Sequence, residues 1–162
     1  MNTQQINFSR QLIKGRIAEI VFEQMLRDAG CFTVLSFGYE NILPELMRRQ
    51  HDMQAEETME IIRRAPDFAV INNESHEVHL IEVKYRKSIQ PGGVLQAAER
   101  MYASWKPSYL FIATPEGFFF GKVADIVESK GEIAPLNHPK IPADLQEQYL
   151  GILNDFLRNG DC

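Results

Sequence analysis

The chain has 162 residues, 44% of them hydrophobic and 24% charged, which suits one globular domain with one packed core over residues 1–162 and leaves no length for a motor domain. The formal net charge of −5 argues against a protein that coats nucleic acid through many Lys and Arg contacts, but not against one whose basic residues gather in a single cleft. The longest apolar runs, such as Tyr109 to Ala113, fall far short of the roughly 20 residues of a membrane span, and Met1-Asn2-Thr3-Gln4-Gln5 carries no apolar signal core. A cytoplasmic protein with no membrane partner is the expectation.

The first element in chain order is a helix from about Ser9 to Ala29, with Ser9 as N-cap and Gly30 as the C-terminal stop. At 100° per residue, Ile13, Ile17, Ile20, Val21, Phe22, Met25 and Leu26 fill a wide apolar arc, and Arg16, Glu19, Glu23 and Arg27 share the rest. Cys31 to Phe37 reads as a strand; Cys31 and Cys162 have neither zinc-type spacing nor a disulfide framework. A charged helical insertion is expected over 44–64. Asp67 to Ile71 is a strand, Asn72-Asn73-Glu74-Ser75 a turn, and Val78 to Tyr85 a strand apolar on both faces apart from its charges, as in the middle of a sheet. His76-x-x-His79 lies in this hairpin and not on a helix, so no histidine metal site is expected.

Pro91-Gly92-Gly93 predicts a break before a helix from Val94 to Trp105. Tyr109 to Thr114 follows as a strand, and Pro115-Glu116-Gly117 turns the chain into Phe118-Phe119-Phe120. After a Pro- and Gly-containing stretch from Gly131 to Pro142, a last helix from Ala143 to Arg158 carries a stripe of Leu145, Tyr149, Ile152, Leu153 and Phe156. This order predicts an α/β sandwich with a mixed sheet, its core at about 9–125 and its C-terminal helix at about 143–158.

Chemistry concentrates at Pro66-Asp67 and at Glu82-Val83-Lys84. Alternation along a strand puts Glu82 and Lys84 on one face, with the Val83 carbonyl as a further ligand and Asp67 arriving from the neighbouring strand. An Asp, a Glu and a backbone carbonyl are hard oxygen donors of the kind Mg²⁺ prefers, with Mn²⁺ as a substitute. The cation would polarise a phosphodiester while Lys84 offsets charge developing on phosphorus. Tyr85, Arg86 and Lys87 continue from the strand and are candidate phosphate contacts, as are Lys14 and Arg16 on the first helix.

Pro66-Asp67 followed by Glu82-x-Lys84 inside an apolar strand resembles the PD-(D/E)xK nuclease superfamily, the fold of many restriction endonucleases and Holliday-junction resolvases. Gly15-Arg16-Ile17-Ala18-Glu19 resembles the Gly-x-x-x-Glu helix of the resolvase-like branch. The resemblance covers roughly Lys14 to Thr114. It implies a restriction endonuclease-like three-layer sandwich, Glu19 as a further acid near the metal, and Gln96 and Tyr102 as supporting residues; Tyr102, spaced helically with Met101 and Trp105, also reads as core. The insertion is longer than in minimal resolvases, which leaves substrate shape open.

The expectation is therefore a Mg²⁺-dependent endonuclease acting on DNA, with Asp67, Glu82, Lys84 and Glu19 as the catalytic set. RNA stays open as substrate. Engaging both strands would favour a homodimer, for which the last helix offers one interface. The alternatives are a catalytically inactive nuclease-fold module for nucleic-acid binding or assembly, and an α/β interaction protein in which Glu82 and Lys84 are a surface ion pair.

Overall fold

A computed structural model describes residues 2–38 and 56–159. Helix α1 (Thr3–Ala29) leads into strand β1 (Phe32–Ser36), and α2 (Glu56–Arg63) precedes the hairpin β2 (Phe68–Asn72) and β3 (Val78–Tyr85). Helix α3 (Pro91–Ser104) crosses to β4 (Ser108–Thr114), followed by β5 (Gly117–Lys122), α4 (Val123–Glu128), β6 (Ala134–Pro135) and α5 (Ala143–Asn159). The first part of the charged insertion, 44–55, and Cys162 lie outside the described residues. Among the described residues, no helix is long and apolar enough to cross a membrane.

The six strands form one sheet in the order β1-β2-β3-β4-β5-β6, antiparallel except for the parallel pair β3 and β4 that α3 connects. The architecture is α/β with a mixed sheet, and β3 lies inside it as its two apolar faces require. Alternate residues of β4 go to opposite layers. Phe111 and Ala113 join Ile81 and Val83 beneath α1 and α5, whereas Leu110 and Ile112 meet Val94, Ala98 and Met101 of α3 and Ile126 of α4. Phe22 is buried at the centre of the first layer, with ring centroids 5.2 Å from Phe68 and 4.8 Å from Phe111. Burying its ring supplies a large share of the apolar driving force on that side.

Several boundaries differ from those the sequence predicts. Helix α1 starts six residues before Ser9, at Thr3, because the Asn2 side chain accepts from Gln4 N–H, and nothing between them breaks a helix. Ser9 is internal and donates back to the Gln5 carbonyl. Gly30 ends α1 in the left-handed region at φ 81°, as expected. Pro91-Gly92-Gly93 forms the first turn of α3 instead of a break, since proline at the first position lacks only an N–H that would have no helical partner there. The expected arc on α1 narrows to Ala18, Val21, Phe22, Met25 and Leu26, leaving Ile13 and Ile20 exposed. The expected stripe on α5 is rotated: Leu153 and Leu157 are buried, while Ile152 and Phe156 face outward.

Candidate active site

The register leaves a notch in the sheet. Pairing of β2 with β3 ends at Phe68 opposite Ile81, yet β3 runs on to Tyr85, bonded only to β4. Asp67, the residue before β2, fills the gap with its side chain: Oδ2 accepts from the Val83 N–H at 2.8 Å. A strand residue's N–H and C=O point the same way, so the Val83 carbonyl also faces the notch. The Asp67 carbonyl accepts from the N–H groups of Phe37 and Gly38 at 2.9 and 3.1 Å. Gly38 lies so close that a Cβ there would sit 3.3 Å from the Asp67 Cα. Main chain and side chain of Asp67 are thus fixed from three strand ends at once.

Glu82 and Lys84 point to the α3 side of the sheet, as alternation requires with Ile81 and Val83 in the opposite layer. Lys84 Nζ is 3.9 Å from Glu82 Oε1, a loose pair with the carboxylate largely buried and the ammonium one-third exposed. Burial, a hydrogen bond with Glu82 and repulsion from its charge push the Asp67 carboxyl up to about 8, against the opposing effects of the Val83 N–H and Lys84. Two carboxyl groups so close favour sharing a proton.

These residues open into a cleft of about 640 Å³ bounded by α1, α2, α3 and the ends of β1 and β3. Glu19 reaches it from α1 and is paired with Arg16 at 3.0 Å, while Glu23 pairs with Arg27 as its spacing predicts. Gln96 reaches it from α3, and Arg86 from the end of β3. Three further arginines line the cleft that the sequence did not single out: Arg63, Arg64 and Arg100. Arg63 and Arg64 directly precede Ala65-Pro66-Asp67 and both pair with Glu60, at 3.4 and 3.2 Å. Arg100 is four residues after Gln96, hence on the same helical face, and that spacing is the only sequence signal that could have found it. The cleft carries six basic side chains, Arg16, Arg63, Arg64, Lys84, Arg86 and Arg100, against three acidic ones, Glu19, Asp67 and Glu82. It is electropositive in a chain whose formal charge is −5.

The remaining candidates do not line the cleft. Tyr85 faces the other layer, where it packs against the core and its ring lies 5.8 Å below Lys14 Nζ, so both are turned away together. Tyr102 is exposed on another face of α3 with Lys106 Nζ over its ring, and Lys87 is exposed beyond β3.

Among the described residues, no group of three or more His, Cys, Asp or Glu side chains is arranged to hold a metal ion. The donors that are present, two hard carboxyl groups and a backbone carbonyl, suit a cation that completes its shell with water and substrate oxygens, which is the habit of Mg²⁺. No family model, curated protein or solved structure matches the chain.

Proposed function

We propose that the protein is a Mg²⁺-dependent endonuclease that hydrolyses DNA phosphodiester bonds, and that its α/β architecture is of the restriction endonuclease-like kind. The observation that carries this reading is the juxtaposition of Asp67, Glu82 and Lys84 at the floor of an arginine-lined cleft. Asp67 and Glu82, with the Val83 carbonyl, would hold the cation. When bound, it supplies Lewis-acid polarisation of the scissile phosphate. Lys84 is placed to donate to a phosphate oxygen as negative charge grows there, and its partial burial strengthens that interaction relative to water. Glu19 stands in the cleft wall as an additional acid, with Arg16 holding its carboxylate in place. The surrounding arginines offset the charge of the nucleic-acid backbone.

The test is cleavage of linear, branched and single-stranded DNA with Mg²⁺ or Mn²⁺. Asp67→Ala and Lys84→Ala are each expected to lower kcat by about a hundredfold or more while folding normally. Addition of EDTA is expected to abolish cleavage by the native protein. Absence of cleavage on every substrate, together with no calorimetric binding of either metal, would overturn the reading in favour of a module without catalysis.

A further inference from the structure

The basic side chains of the cleft differ in what they already hold. Arg16 is engaged by Glu19, Arg63 and Arg64 share Glu60, Lys84 stands beside Glu82, and Arg86 donates to the Tyr85 carbonyl. Among the described residues, the guanidinium of Arg100 makes no ion pair and no hydrogen bond, although it lines the cleft. A guanidinium presents five donors in a rigid plane, and its best partners are carboxylate or phosphate oxygens taken two at a time.

Its position limits what that partner is. Gly93 and Arg100 line the cleft two helical turns apart, roughly 10 Å along α3. The residues between them on that wall include Ala97, whose small side chain leaves the approach open. Arg100 is on the half of α3 that Trp105 ties to α2, where the Trp105 indole donates to the Ile61 carbonyl at 2.8 Å, next to Arg63 and Arg64. Glu82 and Lys84 are on β3, with Asp67 beside them just before β2. An anion on Arg100 is thus held from the α3 wall of the cleft, whereas one on Lys84 is held from β3.

We propose that Arg100 binds a phosphate of the substrate strand other than the scissile one, so that the substrate is a polynucleotide strand and not a mononucleotide or a small diester. This rests on the nuclease reading for the word substrate, but its test does not depend on hydrolysis. Binding of a fluorescent DNA oligonucleotide, single-stranded and duplex, is measured by anisotropy in EDTA over about 50–200 mM salt, a range in which each phosphate contact has a clear effect.

Relative to the native chain, Arg100→Gln is expected to weaken binding about tenfold and to reduce the slope of log K against log salt by about one. Arg100→Lys is expected to recover the slope, because it restores the charge, but only part of the affinity, because it lacks the planar fork. Arg158→Gln, a charge removed from α5 outside the cleft, is expected to keep the native slope. The proposal is overturned if Arg100→Gln binds with native affinity and slope, if Arg158→Gln lowers the slope equally, or if the native protein binds neither form. A protein that binds with an Arg100-dependent slope yet cleaves nothing keeps this inference and loses the nuclease reading. One that cleaves DNA while Arg100→Gln retains the native KM does the reverse.

Discussion

The Asp67 carboxyl, raised to about 8 by burial and by Glu82, keeps a proton that the unfolded chain releases near the ordinary value of 3.8. Between those two values the native state binds more protons than the unfolded one. This group's contribution to stability is therefore complete below about pH 4 and is lost as pH rises toward 8, by up to about 1.4 kcal/mol per pH unit. In urea unfolding with EDTA present, the midpoint of the native chain is expected to fall between about pH 5 and 8 more steeply than that of Asp67→Asn, whose amide oxygen still accepts from Val83 N–H. Equal slopes would refute the assignment. Asp67, Glu82 and Lys84 were legible in the sequence because strand alternation alone places Glu82 and Lys84 together and Pro66-Asp67 marks a strand entry. Arg63, Arg64 and Arg100 were not legible, since a helical arginine reads as a solvated face until tertiary packing shows which face meets a cleft. For the same reason nearness in sequence did not show that Tyr85 and Lys87 lie away from the cleft, and the resemblance did not show it for Tyr102.

At the level of elements, α3 is held at both ends. Its start abuts Gly131, where φ is 108° and a Cβ would lie 2.1 Å from the Pro91 carbonyl oxygen. Gly131→Ala therefore combines backbone strain with a clash and is expected to cost about 2 kcal/mol or more, readable as a lowered urea midpoint. Its far end is tied to α2 by the Trp105 indole, and Trp105→Phe is expected to cost about 1 kcal/mol by leaving the Ile61 carbonyl without that donor. Strand β3 was read from the sequence to the residue, because Val78, Leu80, Ile81, Val83 and Tyr85 set between turn signals admit little else. Helix α4 and strand β6 were missed, being six and two residues long and too short to develop a period. The rotation of the α5 stripe was also hidden, because Leu153 and Leu157 or Ile152 and Phe156 each give a plausible face until α1 is in place.

For the whole molecule, the two apolar layers make the sheet the structural centre, and Phe22→Ala is expected to cost about 3–5 kcal/mol by emptying the space between Phe68 and Phe111. The outer surface of the α1 and α5 layer leaves Ile20 59% and Phe156 60% exposed. If these residues carry the homodimer expected from the sequence, sedimentation gives twice the 18.6 kDa chain mass, and the double substitution Ile20→Asp with Phe156→Asp returns the monomer. The contact between α2 and α3 has a consequence of a different kind. Trp105 is the single tryptophan of the chain, and it stands where the two arginine-bearing helices meet, its ring also edge-on to Phe37 at 5.5 Å. The tryptophan emission of the unlabelled protein thus comes from one residue that ties together two helices lining the cleft, so an anion settling against Arg64 and Arg100 would be read as a change in that emission.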